Sequence, residues 1–215
     1  MSDERLPWDG GTVSAAWHGE GGDTLLALTH GAGGTFETPS LVAYADAMAA
    51  RGMCVVRFNL PYVESGKKTP GPQARDEACW RGIANVLRAR ARRLLVGGRS
   101  YGGRMASHVV AAGVPCEGLV LLAYPLHPPG KPERLRAAHL ERIMAPMLFL
   151  QGTRDPFAEP TLLARTLAKL PGATRHRLEG GDHGHKVAGR SIADVAAELA
   201  DATVQWLDTD VGRPS

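Results

Sequence analysis

Ser100 is the residue of this chain whose surroundings most clearly suggest chemistry. It lies at the centre of a G-x-S-x-G motif, GRSYG at residues 98–102, directly after an apolar run. In such a motif the serine sits at the tip of a tight strand-to-helix turn, and glycines two positions away prevent collisions with the backbone. The first amides of the next helix then point toward any oxyanion formed there. The motif predicts a nucleophilic serine; the alternative is a small-residue turn that only joins a strand to a helix.

Asp155 and His183 are the two residues that could activate this serine. A serine nucleophile needs a base within hydrogen-bonding reach, and the base needs a carboxylate that fixes its tautomer and stabilises its charged form. Ser100 follows one predicted strand, Asp155 the next strand but one, and His183 the last strand. This order predicts a catalytic triad. Ser100 would be the nucleophile, His183 the general base and then the acid, and Asp155 the carboxylate that orients the histidine.

Other acidic and basic residues near His183 offer alternatives. His185 lies two positions further on and could replace His183 as the base, whereas Asp182 would have to fold back to reach the histidine ring and is a poor orienting group. A metal site built from Asp182, His183, His185 and His30 is a weaker interpretation, because no second spaced pair of ligands completes it. We therefore expect no metal and no cofactor.

Alternating strands and helices must position these residues. Apolar runs predict strands at residues 12–17 (an edge strand), 25–28, 53–58, 94–96, 118–123, 146–150 and 175–178. Helical patterns cover residues 39–50 (with Thr38 as the capping residue), 74–93, 133–143 and 161–170, and two further helices follow the GRSYG motif and the pair Ser191 and Asp194. This alternation predicts an α/β fold in which residues 1–215 form a single domain, with a mostly parallel central sheet flanked by helices on both faces. Functional groups in such sheets lie at the carboxyl ends of strands.

The composition excludes several other classes of protein. The 215 residues are 44% hydrophobic and 22% charged with a net charge of +3, which is ordinary for a globular domain. The chain has no basic run interleaved with aromatic residues, so the sequence gives no indication of a nucleic-acid partner. No apolar stretch approaches the length of a membrane span. The three cysteines, Cys54, Cys79 and Cys116, lack metal-type spacing and favour a reducing compartment, the cytoplasm. We expect a monomer or a homodimer.

Taken together, the GRSYG motif and the corners at Asp155 and His183 resemble the α/β-hydrolase superfamily, especially its small members similar to dienelactone hydrolase. The sequences YPLHPPGKP at residues 124–132 and QGTRDPF at residues 151–157 look like a narrower group. That group includes testis-expressed hydrolase-like proteins and the KANSL-type subunits of chromatin acetyltransferase complexes. Dienelactone hydrolases use a cysteine nucleophile, so their substrate is not transferred to a chain with Ser100 at that position.

The resemblance implies further site residues. The backbone amide of Tyr101 and that of Ala32 or Gly33, in the glycine-rich corner after the second strand, would form the oxyanion hole. Four side chains near the predicted corners are candidate substrate contacts: His30, Arg99, His127 and Arg154. Arg99 and Arg154 would hold a substrate carboxylate, or else would point away and pair at the surface.

The function expected from these features is that of a serine hydrolase, carboxylesterase-like, which cleaves a small ester or related acyl compound through an acyl-enzyme intermediate. Acyl transfer, perhydrolysis and peptide cleavage on the same triad are alternatives, as is a non-catalytic scaffold, because animal relatives of the narrower group serve as subunits of complexes.

The sequence also predicts a minimal cap. Residues 124–145 hold a proline-rich loop and one short helix, whose apolar residues Leu135, Leu140 and Ile143 should pack against the body of the protein. The opposite face of that helix would carry Arg134, Arg136, His139 and Arg142. Little apolar surface would then line a long acyl site, and we expect a shallow pocket that prefers acyl groups of about two to four carbons.

Overall fold

The computed structural model describes residues 2–212, and its centre is one eight-stranded β-sheet. The strands are β1 (Ser2–Trp8), β2 (Gly11–His18), β3 (Thr24–Thr29), β4 (Cys54–Phe58), β5 (Arg93–Arg99), β6 (Gly118–Leu122), β7 (Met147–Gly152) and β8 (Ala173–Leu178). Their order in the sheet is β1-β2-β4-β3-β5-β6-β7-β8, so β1 and β8 are its edges. Strands β3 to β8 run parallel, whereas β2 pairs antiparallel with both β1 and β4. The predicted mostly parallel sheet is confirmed.

Within the described residues, six α-helices surround the sheet: α1 (Pro39–Ala49), α2 (Pro61–Glu64), α3 (Gln73–Arg88), α4 (Tyr101–Ala111), α5 (Pro160–Leu167) and α6 (Ile192–Trp206). Helices α1 and α6 pack on one face through an apolar core that includes Leu41, Met48 and Leu199. Helices α3, α4 and α5 pack on the other face, where Trp80 and Met105 are buried. Because both faces are covered, the inner strands are continuous apolar runs: every residue of β6 and β7 is buried. The predicted helices on both faces are confirmed.

The first strand, β1, was not predicted. It runs along β2, so residues 12–17 belong to the second strand of the sheet rather than to its edge, and that prediction is wrong. In β1 Leu6 is buried and Trp8 is half-buried against the same core, while Asp3 and Arg5 are exposed, so the strand has only a short and weak apolar pattern. An edge strand with one covered face needs few apolar residues, which is why the periodicity did not reveal it.

Three predicted helix termini can be compared with the structure. Ser191 and Asp194 form the expected capping box at the start of α6, with the Ser191 hydroxyl accepting a hydrogen bond from the Asp194 amide at 3.0 Å. Thr38 does not cap α1, because its hydroxyl donates instead to the carbonyl oxygen of Thr35 at 2.8 Å. The helix predicted at residues 74–93 ends at Arg88, and Arg93 already belongs to β5.

The cap is even smaller than predicted. Instead of a helix at residues 133–143, the structure has only a short 3₁₀-helix, Ala138–Arg142. Leu140 and Ile143 are buried as expected, but Leu135 is 48% exposed, so its predicted packing against the body is wrong. His139 is buried rather than part of an outer polar face. No helix within residues 2–212 is both long and apolar enough to cross a membrane.

Candidate active site

Ser100 lies at the junction of β5 and α4 in a strained backbone conformation. Its φ of 51° and ψ of −114° fall outside the regions that non-glycine residues favour. The turn also requires both glycines of the motif. A Cβ atom on Gly98 would lie 2.4 Å from the carbonyl oxygen of Thr29, and one on Gly102 would lie 2.5 Å from that of His30. The end of β3 therefore packs directly against this turn. The turn places the half-buried Ser100 just beyond the end of β5.

The structure brings Ser100, His183 and Asp155 into one chain of hydrogen bonds. The distance from Ser100 Oγ to His183 Nε2 is 2.8 Å. On the other side of the ring, His183 Nδ1 lies 2.8 Å from Asp155 Oδ2 and 3.0 Å from Asp155 Oδ1. An ionised carboxylate can only accept, so Nδ1 carries the proton and Nε2 is free to accept from the serine hydroxyl. In this arrangement the serine proton can move to the imidazole while the aspartate stabilises the resulting charge.

The Asp155 side chain is fully buried, and its charge is compensated by several donors. Besides His183, the carboxylate accepts from Gln151 Nε2 at 2.6 Å and from the amide of Phe157 at 2.8 Å. A buried carboxylate without such partners would be unstable in its ionised form. These contacts fix the direction in which the carboxylate faces the histidine.

The turn that carries His183 is held by Asp182. Asp182 Oδ1 accepts hydrogen bonds from the amides of Gly184 at 2.7 Å and Lys186 at 2.9 Å. The Asp182 carboxylate is thus engaged with its own turn. Gly152, at the end of β7, allows this turn to approach, because a Cβ there would lie 2.3 Å from the carbonyl oxygen of Gly181. The close approach of the two loops places Asp155 beside His183.

Three supporting side chains were not assigned their roles from the sequence. Phe157 stacks on the His183 ring with centroids 4.1 Å apart. Gln151 holds Asp155, as described above. Arg99, which is half-buried, donates from Nη2 to the carbonyl oxygen of His183 at 2.9 Å. Gln151 and Phe157 both fall in the QGTRDPF sequence at residues 151–157, so their proximity to Asp155 was the available signal.

His185, the alternative base, occupies a different environment. It is 6% exposed, and its Nε2 donates to the carbonyl oxygen of Leu150 at 3.0 Å. Burial, assisted by the nearby charge of Arg99, lowers the pKa of His185 to about 4. The imidazole is therefore neutral and its Nε2 proton is already used, so the structure favours His183 over His185 as the group beside the serine.

His30 supports the glycine-rich corner from inside the protein. It is fully buried, accepts from the amide of Leu60 at 3.1 Å and donates from Nδ1 to the carbonyl oxygen of Gly31 at 2.9 Å. Burial lowers its pKa to about 4. The expectation that His30 contacts substrate is wrong, because both ring nitrogens are occupied and the side chain is inaccessible.

The corner that follows His30 lies against the candidate nucleophile. A Cβ on Gly31 would be 3.3 Å from the Cβ of Ser100. The next residues form a turn in which the amide of Gly34 donates to the carbonyl oxygen of Gly31 at 3.1 Å, with Gly33 at a φ of 77°. The amides of Ala32 and Gly33 therefore lie in a turn adjoining Ser100. The amide of Tyr101 belongs to the first turn of α4, where amides have no acceptor within the helix.

The remaining candidate contacts differ in accessibility. His127 is 3% exposed and holds two loops together, since its Nε2 accepts from the amide of Glu159 at 3.0 Å and its Nδ1 donates to the carbonyl oxygen of Pro128 at 2.9 Å. The expectation that His127 contacts substrate is therefore wrong. Arg154 is exposed, and its role stays a prediction.

Arg99 lines a cavity of about 360 Å³ between α1, α6 and the turn after His183, and it does not form the surface ion pair considered above. It remains a candidate for contact with a small molecule.

Among residues 2–212, no group of three or more histidine, cysteine, aspartate or glutamate side chains is arranged to hold a metal ion. In particular, the ring nitrogens of His30 and His185 are committed to hydrogen bonds with the backbone. The histidines near the site thus act through hydrogen bonds in this structure.

A family model described as "Alpha/beta hydrolase domain" matches residues 22–209 of this chain. The match spans the sheet from before β3 to beyond α6, and it includes Ser100, Asp155 and His183.

Solved structures show the same fold at low sequence identity. A serine hydrolase from Xanthomonas campestris, described as lacking a lid, is 21% identical, with 95% of this chain and 94% of that chain covered and a TM-score of 0.75. Dienelactone hydrolase from Anabaena variabilis is 14% identical, with 96% and 95% covered and a TM-score of 0.76. An esterase from Pyrococcus furiosus is 13% identical, with 98% and 91% covered and a TM-score of 0.77. At these identities the likeness establishes the fold alone.

The buried histidines of the site predict that the protein becomes less stable as the pH falls. His30 and His185 stay neutral in the folded protein until about pH 4, whereas in the unfolded chain they take up a proton near pH 6.5. Between these values the unfolded state binds more protons, so each histidine lowers the free energy of unfolding by up to about 1.4 kcal/mol per pH unit as the pH falls. Urea denaturation at about pH 7, 6 and 5 measures this slope.

The variant His185→Asn isolates one of these contributions, and asparagine suits the φ of 60° at this position. We expect the free energy of unfolding of this variant to depend less steeply on pH than that of the wild type. Some dependence remains in the variant, because the pKa values of His18, His108 and His139 are also lowered. An unchanged slope would contradict the buried, neutral state of His185 in solution.

Proposed function

This chain belongs to the alpha/beta hydrolase family, and from that premise we propose that it is a serine hydrolase that cleaves a small ester or related acyl compound. The observation that carries the proposal is the hydrogen-bonded chain from Ser100 Oγ through His183 to the buried carboxylate of Asp155. A serine whose hydroxyl is bonded to an oriented histidine, in a strained turn, has the setting of an activated nucleophile.

In the proposed first step, Ser100 Oγ attacks the substrate carbonyl carbon while His183 Nε2 takes the serine proton. The negative charge that develops on the carbonyl oxygen would be stabilised by the amide of Tyr101 and by that of Ala32 or Gly33, with each donor contributing about 3 kcal/mol. His183 then gives its proton to the leaving group, which departs and leaves an acyl group on Ser100.

In the second step, water takes the place of the leaving group. His183 accepts a proton from the water, whose oxygen attacks the acyl carbon, and then returns a proton to Ser100 as the carboxylic acid is released. Throughout both steps Asp155 keeps Nδ1 protonated and stabilises the imidazolium form. Phe157 and Arg99 would keep the histidine in place, one by stacking on its ring and the other by bonding its carbonyl oxygen.

The two sequence segments that resemble the KANSL-type and testis-expressed group are joined at this site. The amide of His127 donates to the carbonyl oxygen of Phe157 at 3.0 Å, which connects residues 124–132 to residues 151–157. We propose that this pairing is the structural basis of the resemblance. The same segments would then serve to place Asp155 correctly.

We further propose a cytoplasmic protein, monomeric or homodimeric, whose partner is a small acyl compound. The three cysteines support a reducing compartment, since Cys54, Cys79 and Cys116 are all free thiols. Burial raises the pKa of the Cys79 and Cys116 thiols well above the usual value, which keeps them protonated and unreactive.

A fluorophosphonate probe should label the native protein on Ser100 alone, because the histidine bonded to its hydroxyl is oriented by a carboxylate. Ser107, whose hydroxyl is bonded to His139, is fully buried and out of reach of the probe. Peptide mapping of the adduct identifies the labelled residue. Ser100→Ala and His183→Ala should remain folded by circular dichroism but take up no label. A folded wild-type protein that resists labelling would instead support a non-catalytic scaffold.

Asp155→Asn should lower kcat for a p-nitrophenyl ester by about three to four orders of magnitude, because an amide at this position donates to Nδ1 and favours the wrong imidazole tautomer. Asp182→Asn is the matched control. Its Oδ1 can still accept from the amides of Gly184 and Lys186, so we expect a much smaller effect. If the two effects on kcat were reversed, Asp182 rather than Asp155 would be the orienting carboxylate.

The small cap predicts a preference for short acyl chains, of about two to four carbons. The 3₁₀-helix buries Leu140 in the core, and Ile143 is buried beside it, so neither side chain is available to line an acyl tunnel. Each buried methylene would otherwise contribute about 0.8 kcal/mol. The measurement is kcat/KM for acetyl, butyryl, octanoyl and palmitoyl esters below their aggregation limits. A steady rise through octanoyl to palmitoyl would contradict the prediction and would place the acyl site outside this segment.

A further inference from the structure

A second cavity, which we call the basic cleft, lies between α3, α4 and the 3₁₀-helix. Its volume is about 410 Å³, and the polar side chains that line it are Gln73, Arg104, His108, Arg136, His139 and Arg142. The cations come from two separate parts of the chain: Arg104 from α4, and Arg136 and Arg142 from the connection between β6 and β7. Tertiary folding therefore brings Arg104 together with a pair of arginines that are more than 30 residues away in the sequence.

The charges of these arginines act on one another. Burial lowers the pKa of Arg136, and the charge of Arg104 lowers it further. The pKa of His139 falls to about 3 through burial, with the positive charges around it, including Arg104 and Arg142, acting in the same direction. Like charges that line one cavity repel one another, and this repulsion destabilises the protein unless an anion compensates it.

The hydrogen bonds of Arg104 leave part of its guanidinium unused. Nη2 donates to Gln73 Oε1 at 2.7 Å, and the group lies 5.7 Å from the centroid of the Tyr101 ring. Its Nε is buried and, within the described part of the chain, has no hydrogen-bond partner. A buried donor without an acceptor is destabilising, and this effect adds to the repulsion among the arginines of the cleft.

The two histidines form a neutral wall of the cleft. Their rings stack with centroids 3.8 Å apart and an interplanar angle of 15°. His139 Nε2 is bonded to the hydroxyl of Ser107 at 2.8 Å, and His108 Nδ1 faces Glu77 Oε1 at 3.6 Å. Both histidines have a lowered pKa, chiefly through burial, so the charge of the cleft comes from its arginines.

The two acidic groups beside the cleft are engaged by neighbouring side chains. Glu77 accepts from Gln73 Nε2 at 2.6 Å, and Asp76 accepts from the hydroxyl of Tyr101 at 2.8 Å. Neither carboxylate lines the cavity. Among the described residues, the lining holds three guanidinium groups and no carboxylate.

We propose that the basic cleft binds the phosphate group of a small phosphate monoester, with the guanidinium groups of Arg104, Arg136 and Arg142 around its oxygens. The planar fork of arginine matches phosphate oxygens and forms strong charge-assisted hydrogen bonds. The cavity is within the size range of small-molecule sites and is larger than a phosphate ion needs. Leu135 and Ala138, which also line it, supply apolar surface for the organic part of the ligand.

The cleft begins about one helical turn from Ser100, since the amide of Arg104 donates to the carbonyl oxygen of Ser100 at 3.0 Å. The proposal does not depend on Ser100 being a nucleophile. It assigns a separate binding site on the α3 and α4 side of the sheet.

Isothermal titration of the full chain at low ionic strength tests the site with two probes, inorganic phosphate and phenyl phosphate, and with benzyl alcohol as an uncharged comparison. We expect saturable binding of phenyl phosphate that weakens about tenfold or more in Arg104→Gln and in Arg142→Gln, because each loses a charged hydrogen bond. Arg165→Gln, which removes an exposed arginine of α5 outside the cleft, should leave the Kd unchanged. Imidazole ¹⁵N signals of His108 and His139 should shift on titration.

Each outcome decides the proposal. Tighter binding of phenyl phosphate than of inorganic phosphate, lost in both cleft variants, supports a phosphate monoester as the ligand. Equal binding of the two probes, lost in the same variants, supports the phosphate site and identifies the free ion as its occupant. Absence of saturable binding to the wild type, binding of benzyl alcohol as tight as that of phenyl phosphate, or equal weakening in Arg165→Gln would overturn it. Arg142 is exposed on a short 3₁₀-helix, so its variant remains informative if Arg104→Gln fails to fold.

Discussion

The site depends on how closely the backbone at the end of β3 approaches the turn at Ser100. Carbonyl oxygens of Thr29 and His30 occupy the space where side chains on Gly98 and Gly102 would be. This contact stabilises a conformation that a serine would not adopt alone, with a φ of 51°. Because the same end of β3 continues into the glycine-rich corner, the contact also sets the position of the amides proposed for the oxyanion hole. His30 holds the corner from behind by bonding to the backbone on both sides of its ring.

On the other side of the site, hydrogen bonds compensate for a buried negative charge. Asp155 has a fully buried side chain whose carboxylate accepts from a histidine, an amide side chain and a backbone amide. The loop that supplies Asp155 touches the loop that supplies His183 only because Gly152 lacks a side chain. The two halves of the site are therefore built in the same way. In each, a glycine allows two backbone segments to approach closely, and this contact positions a polar side chain of the site, Ser100 in one half and Asp155 in the other.

The meeting of the three candidate catalytic residues could be predicted from the sequence, because each of them follows the end of a strand. In a parallel sheet the carboxyl ends of strands lie along one edge, so the positions of Ser100, Asp155 and His183 after their strands were enough to predict that they meet. Burial was harder to predict, because His30 and His127 are polar residues in glycine- or proline-rich loops, and only the folded chain shows that their ring nitrogens are occupied. The basic cleft was not predicted, because the sequence places Arg136 and Arg142 on one face of a predicted helix but does not show that folding brings Arg104 of α4 to the same cavity. Strand β1 was missed because its apolar pattern is short and weak.

The charges of β8 have a consequence for the behaviour of the protein at high concentration. This strand ends the sheet, and among the described residues no further strand pairs with its outer side. Its sequence ATRHRL places Arg175 and Arg177 on an edge that would otherwise offer free amides and carbonyl groups to another molecule. Positive charges on such an edge disfavour pairing with an identical strand, since like charges would be brought side by side. The edge is thereby protected against growth into intermolecular β-structure, the process that begins many forms of protein aggregation.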